Sequence, residues 1–313
     1  MSVFLVTGGA GFIGSNLIRA LLERGDTVRV LDNFYTGFSK NIDPVSKEVE
    51  FFEGSICDEE LLKRAMDGVD YCLHQAAIGS VPRSIDNPLP TNKVNSEGSM
   101  KVFLAARDAG VKRVVFASSS SVFGNNDTYP TMDEMPLNPV SPYAVSKAAM
   151  ESYARVFSSL YDIDLVGLRY FNVFGPFQNP DSEYSAVIPL FIKRLLKGEQ
   201  PVINGDGLQS RDFSFVDNVV SANLLACEPE EPIAGMVNVA CGKTTSVLEL
   251  ATIICEIMGI KPDFSFRESR QGDIQKSLAS IAKAKDIFGY EPLIHVREGL
   301  ERTVDWYRQQ TGE

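Results

Sequence analysis

Short runs of β-branched and aromatic residues alternate with helix-periodic stretches through the first half of the chain. The runs are VFLVTG, TVRVLD, VEFFEG, YCLHQAA and RVVFASSS; helical patterns fall between them, from about Asn16 to Glu23 and through SMKVFLAARDAG. Regular alternation of this kind predicts a parallel sheet with helices on both faces. RVVFA and DLVGLRYF are apolar almost without a break, as strands buried on both sides must be. From about Gly175 the texture changes to Pro- and Gly-containing loops (GPFQNP, NGDG), a helix VIPLFIKRLLKG and the segment VNVACGKTTS. This predicts a second, smaller α/β lobe. Residues 1–171 form the first unit, with a return segment at about 213–240, and residues 172–212 and 241–313 form the other.

Composition narrows the functional classes. The 313 residues are 44% hydrophobic and 23% charged, ordinary for a globular chain with a sizeable core. No uncharged apolar run approaches the roughly 18 to 20 residues that span a bilayer. No basic leader precedes the first strand, so the expectation is a cytoplasmic protein with no membrane partner. The formal charge of −11 argues against a nucleic-acid partner, whose phosphates such a surface repels. Cys57, Cys72, Cys227, Cys241 and Cys255 lack metal-like spacing, and with two histidines, His74 and His295, no metal site is expected. His74, at the end of an apolar strand, reads as a satisfied core histidine.

Chemistry first becomes visible in VTGGAGFIGS. Gly8, Gly11 and Gly14 follow a strand and open an amphipathic helix, the arrangement in which the backbone approaches a pyrophosphate at a helix N-terminus. The next strand ends at Asp32, 18 residues beyond Gly14, where a carboxylate accepts hydrogen bonds from an adenosine ribose and repels a 2′-phosphate. A Rossmann-type doubly wound sheet binding NAD rather than NADP is expected.

Two further motifs lie downstream. FASSSSVFG sets Ser118, Ser119, Ser120 and Ser121 at a strand end, and SPYAVSKAAM opens a helix carrying Tyr143 and Lys147 four residues apart, on one face. A phenol ionises near pH 10, and a neighbouring ammonium is expected to lower that value. Taken alone, Tyr143 reads as a packed tyrosine and Lys147 as a solvated cation.

Glycine triplet, strand-end serines, Y-x-x-x-K and LRYFNVFGP occur here in the order of the extended short-chain dehydrogenase/reductase family, which the whole chain resembles. The resemblance implies that Tyr143 exchanges a proton with a sugar hydroxyl, that Lys147 also binds nicotinamide ribose, and that Ser119, five residues before Gly124, shares the sugar hydroxyl. Ser120 and Ser121 are secondary candidates, and Ser118 belongs to the strand. It also implies that Gly8, Gly11, Phe12, Ile13, Asp32, Asn33, Ser55, Ile56, Gln75, Ala76 and Ala77, with Ile78 beside them, line the cofactor. The related 4,6-dehydratases carry an Asp-Glu pair, and decarboxylating relatives a Glu, where this chain has Ser120 and Ser121. Hydroxyls are too weak for that work, which leaves reversible hydride transfer at one carbon, the reaction of 4-epimerases.

HQAAIGSVPRS is similar to epimerases acting on UDP-N-acetylglucosamine. That likeness assigns Gly79, Ser80 and Arg83 to the border of the sugar pocket. By the same likeness Asn172, Gln178, Tyr184, Ser185, Ala186 and Val187 meet sugar and uridine, and Arg211, Arg270 and Asp273 meet diphosphate and ribose. Ser277 falls where a tyrosine in some relatives blocks an N-acetyl group. The expected reaction is therefore NAD-dependent 4-epimerisation of UDP-GlcNAc and UDP-GalNAc, with UDP-Glc and UDP-Gal as a second pair. Another NAD-dependent nucleotide-sugar enzyme (dehydratase, reductase or decarboxylase) and a non-catalytic NAD-binding protein stay open as alternatives. Apolar positions near 95–109 and 143–159 predict a homodimer through a four-helix interface.

Overall fold

The structure, a computed structural model, describes residues 1–180, 186–269 and 275–311. The first half contributes strands β1 (Val3–Thr7), β2 (Thr27–Asp32), β3 (Val49–Glu53), β4 (Tyr71–His74), β5 (Arg113–Ser119) and β6 (Leu165–Tyr170). In the second half, β7 (Val173–Phe174), β8 (Val202–Asn204), β9 (Ser210–Arg211) and β10 (Ser214–Phe215) are short, β11 (Gly235–Val239) is longer, and β12 (Thr245–Ser246) and β13 (Ser265–Arg267) follow. One seven-stranded sheet runs β11-β6-β5-β4-β1-β2-β3, parallel throughout. The strand order reverses beside β1, at the switch point where doubly wound sheets bind ligands outside their carboxyl ends.

Helices α1 (Phe12–Glu23), α2 (Glu59–Met66), α3 (Val81–Asp86), α4 (Pro88–Asn92), α5 (Ser99–Asp108) and α6 (Pro142–Tyr161) belong to the first half, and α7 (Val187–Leu196), α8 (Val216–Leu225), α9 (Val247–Met258), α10 (Ala282–Phe288) and α11 (Val296–Thr311) to the second. One apolar layer, including Leu17, Ile18, Leu21, Val219 and Ala222, lies between the sheet and α1 with α8. A second, including Leu62, Met66, Val102, Phe103 and Met150, lies beneath α2, α5 and α6. A third core gathers Phe174, Ile188, Phe191, Phe213, Phe215, Leu250 and Leu300, so Phe213 and Phe215 of the expected return segment pack with residues expected in the second lobe. Both faces of the central strands are thereby dry, which explains their unbroken apolar sequences. No helix among the described residues is long and apolar enough to cross a membrane.

Two boundaries differ from expectation. Helix α1 begins at Phe12 rather than near Asn16, because Gly11, with φ −80° and ψ 179°, is its N-cap and the glycine turn leads straight into the first helical turn. The expected helix at 95–109 continues from Pro88, joined through a π-helical turn at Lys93–Gly98. A π-turn inserts a residue into the helical ladder and redirects a side chain, here Asn95.

Candidate active site

The glycine turn shows why no side chain fits there. Gly8 has φ +71°, and a Cβ on it would lie 2.6 Å from Ala76 N; a Cβ on Gly14 would lie 2.3 Å from Gly8 O. Gly8 N donates to Leu31 O (2.8 Å), closing the turn against β2. The N-terminus of α1 has no side-chain cap and no acid in its first turn, so its amides suit an anion. Phe12 and Ile13 form that turn. Asp32, buried at the end of β2, accepts from Ala10 N (2.9 Å) through Oδ2 and from Phe34 N (2.7 Å) through Oδ1. Burial pushes its carboxyl up, and the backbone N–H groups of Phe34, Ala10 and Asn33 pull against that. These residues fit a dinucleotide: a cradle where a Cβ would collide, open amides, and a carboxylate at the ribose distance along the chain.

The other expected cofactor residues ring the same sheet edge. Ser55 Oγ accepts from Cys57 N (3.2 Å), Ile56 is buried, and Asn33 is exposed with its Oδ1 accepting from Tyr35 N (3.1 Å). Gln75 Nε2 donates to Asn223 Oδ1 (3.1 Å), and Tyr170 Oη donates to Gln75 Oε1 (3.2 Å). Ala76 N donates to Thr7 Oγ1 (3.3 Å), Ala77 follows it half-buried, and Ile78 N donates to Asn95 Oδ1 (2.8 Å).

His74 is a core residue, as its sequence suggests. Ser99 Oγ spends its hydrogen on Asn95 O (2.7 Å), so His74 Nε2 donates to Ser99 Oγ (2.9 Å) and Nδ1 accepts from Thr7 Oγ1 (2.6 Å). Burial, with Lys147 nearby, pushes its pKa down to about 3. The ring is neutral at any ordinary pH.

Strand β5 and helix α6 bring the serines, phenol and ammonium together. Ser119 ends β5 and accepts from Ser121 N (3.2 Å), capping the short 3-10 turn Ser120–Phe123. Ser118 faces the other way and donates to Glu151 Oε1 (2.5 Å), which Arg169 also binds. Ser141 caps α6 by accepting from Ala144 N (3.2 Å), and Ser84 Oγ accepts from Tyr143 N (3.0 Å), fixing the first turn that carries the phenol. Lys147 is buried and donates to Ala117 O (2.6 Å), with Nζ 5.9 Å from the Tyr143 ring centroid. The net shift of the phenol runs opposite to expectation. Burial pushes the Tyr143 phenol up, with only the Ser119 hydroxyl pulling it down, so Lys147 does not set the net direction. Desolvation also lowers Lys147 to about 8 against the pull of Glu151, which leaves it mainly cationic at neutral pH.

In the second lobe a cavity of about 270 Å3 is lined by Asn172, Ala186, Val187 and Arg211, all expected, and by Asn204 and Gln209, which were not. Val202, Phe213 and Val247 complete its apolar wall. NGDGLQSRDF held that signal: short polar residues between a β-run and an arginine. Asn172 adopts φ +38° and donates through Nδ2 to Asp212 O (3.1 Å), a left-handed conformation that residues at functional sites often hold. Gln178 donates to Val173 O (3.3 Å), while its Oε1 is buried without a partner; so is Ser121 Oγ. Ser277 N donates to Ser210 O (3.0 Å), which sets Ser277 beside β9. Ser80 caps α3, accepting from Arg83 N (3.2 Å), and Gly79 beside it is exposed with open space around its Cα. Tyr184, Ser185, Arg270 and Asp273 lie outside the described residues. The sequence reading missed Asn95, which also donates to Ser146 Oγ (3.1 Å), and the buried Tyr170–Asn223 pair. Nothing in their local patterns distinguishes them.

A match to the NAD dependent epimerase/dehydratase family spans residues 4–240. The chain belongs to this family. It is 38% identical over 308 residues to a putative UDP-glucose 4-epimerase of Methanocaldococcus jannaschii, covering 98% of each chain. It superposes with TM-score 0.94 and 39% identity on a UDP-N-acetylglucosamine 4-epimerase from Methanobrevibacter ruminantium in complex with UDP-N-acetylmuramic acid, covering 99% of both. A UDP-glucose 4-epimerase of Thermotoga maritima with UDP-glucose gives TM-score 0.93 and 36% identity, again over 99% of both.

Proposed function

We propose that this family member is an NAD-dependent 4-epimerase that interconverts UDP-GlcNAc and UDP-GalNAc through a transient 4-keto sugar. The carrying observation is the meeting of Ser119, Tyr143 and Lys147 at the carboxyl edge of the sheet, with hydroxyls and no carboxylate at 120 and 121. NAD held by the glycine turn and Asp32 would supply reversible hydride acceptance from the sugar C4. In its phenolate form Tyr143 takes the C4 hydroxyl proton and later returns it, and Ser119 holds the same hydroxyl by hydrogen bond. Lys147, cationic below about pH 8, stabilises the phenolate electrostatically and hydrogen-bonds ribose hydroxyls. Dehydration is disfavoured because it needs a second acid and base, and Ser120 and Ser121 supply neither.

The cofactor sits with residues 1–171 and 213–240, and the nucleotide sugar with 172–212 and 241–313. Arg211 answers the diphosphate from the cavity wall, and the unpaired Gln178 Oε1 and Ser121 Oγ supply capacity for sugar hydroxyls. Ser277 leaves room for an N-acetyl group, and the likeness to the Methanobrevibacter enzyme supports that reading. The likeness to UDP-glucose epimerases supports the plain hexoses as a second pair.

Purified protein, given no added cofactor, is expected to convert UDP-GlcNAc to UDP-GalNAc, and Ser277→Tyr to abolish that conversion while sparing UDP-Glc. Product analysis finding turnover of the plain hexoses alone overturns the N-acetyl assignment; NADH accumulating stoichiometrically overturns the epimerase. The exposed apolar stripe of α6, Val145, Tyr153, Val156 and Leu160 (66% exposed), supports a homodimer formed with α5. Light scattering is expected to report a dimer that Val156→Glu converts to a monomer.

A further inference from the structure

Asp212 directly follows Arg211, the last residue of β9, but is turned away from the cavity and fully buried. Its Oδ1 accepts from Cys241 N (2.9 Å), and its Oδ2 accepts from Gly242 N (3.0 Å) and Ala279 N (3.3 Å). Its own carbonyl accepts from Asn172 Nδ2 (3.1 Å). We propose that Asp212 is a positioning residue for the nucleotide sugar, its carboxylate tying the Arg211 strand to Cys241–Gly242 and to the segment that carries Ser277, while its backbone carbonyl holds Asn172.

Three segments distant in sequence converge on this residue. The piece of chain bearing Ser277 is tied by backbone pairs, Ser210 N to Gln275 O (2.9 Å), Ser277 N to Ser210 O (3.0 Å) and Thr131 N to Leu278 O (2.7 Å). Ala279 N is held instead by a side chain, a hydrogen bond that a point substitution removes. A carboxylate matches such a cluster because it offers acceptor sites on both oxygens and no hydrogen. An amide offers one oxygen and turns an NH2 group toward N–H donors. Leaving those donors unsatisfied costs more than the bonds themselves contribute, so the loops shift instead. A shift of Asn172, Ser277 and Arg211 against one another loosens the grip on a ligand that spans all three, and leaves Tyr143, held in the first turn of α6, in place.

Burial raises the Asp212 carboxyl to about 6, with the N–H groups of Cys241, Ala279, Gly242 and Lys243 opposing. Cys241 and Tyr290 also act electrostatically within this cluster; burial pushes both up, so they stay uncharged near neutrality. Arg211, Lys243 and Lys276 are basic residues of the chain segments that meet here. Between about pH 7 and pH 5, Asp212 is thus the group of this cluster that changes charge, gaining a hydrogen that faces N–H donors.

The inference rests on the epimerase reading, so wild type is measured first against UDP-GlcNAc and UDP-Glc. If neither turns over, that reading fails. Given an active wild type, Asp212→Asn is expected to raise KM about tenfold, the effect of removing one charge-assisted hydrogen bond. Turnover number and retained NAD, read by extraction and absorbance, stay near wild type, and Asp212→Glu recovers part of the KM. Wild-type KM should also rise as pH drops below about 6, with the Asn variant flat across that range. An unchanged KM, or a loss of kcat and NAD in proportion to folded protein, overturns the inference. Where Asp212→Asn does not fold, a wild-type KM constant from about pH 7 to about pH 5 does the same.

Discussion

The proposed cofactor half and the proposed sugar lobe achieve precision by different means. Around the cofactor, geometry is imposed within short stretches: Gly8 and Gly14 are glycine because a Cβ would strike Ala76 N or Gly8 O, and Tyr143 and Lys147 share a face because they are four residues apart on one helix. In the second lobe the cavity wall combines two-residue strands and loops with residues of α7, β8 and α9, and its alignment depends on buried polar hubs such as Asp212. The first kind of site is rigid because the chain has no other local conformation available. The second is rigid only as long as its cross-links hold, so substitutions there should act on substrate affinity before they act on chemistry.

Tyr143→Phe should separate the two halves most widely. Steady-state assays should show turnover down by about a thousandfold, the usual worth of a positioned acid/base, with NAD still bound. Retained turnover would move the proton transfer elsewhere. Arg211→Ala comes next. It should raise KM for the nucleotide sugar by roughly tenfold or more, the cost of one charge-assisted pair, and change kcat little. A kcat loss without a KM change would place Arg211 with the reacting carbon instead and erase the division of labour between the halves.

A third prediction concerns His74 and reads stability instead of turnover. Its folded pKa is depressed to about 3, whereas an unperturbed histidine titrates near 6.5. Between those values the unfolded chain takes up a proton that the folded chain refuses, so stability is full above about pH 6.5 and falls by up to about 1.4 kcal/mol per unit as pH drops toward 3. Denaturant melts of wild type and His74→Asn across this range should converge as the pH is lowered; parallel curves would show that the imidazole does not set the acid limit of the cofactor half.

Much of the first half was legible because its signals are local. Strand runs, the glycine turn, Asp32 and Y-x-x-x-K each depend on residues within one element or the next, and the structure has them in the expected places. The direction of the Tyr143 shift was not legible, since it depends on how much water the assembled walls exclude, and burial outweighed the Ser119 hydrogen bond. Asn95 gave no sign either, because a π-turn depends on what the helix packs against.

The sequence alone determined which chain segments become sheet, where the glycine turn leads into a helix and which side chains share one helical face, because backbone sterics and helical periodicity act over a few residues. Only the tertiary structure decided that Asp212, to the eye just an acid after an arginine, gathers N–H groups from residues 29, 30 and 67 positions away, and that Asn172, Arg211 and Ser277 converge. Long-range hydrogen bonds have no periodicity to betray them, and their partners are chosen by the fold that the local signals have already built.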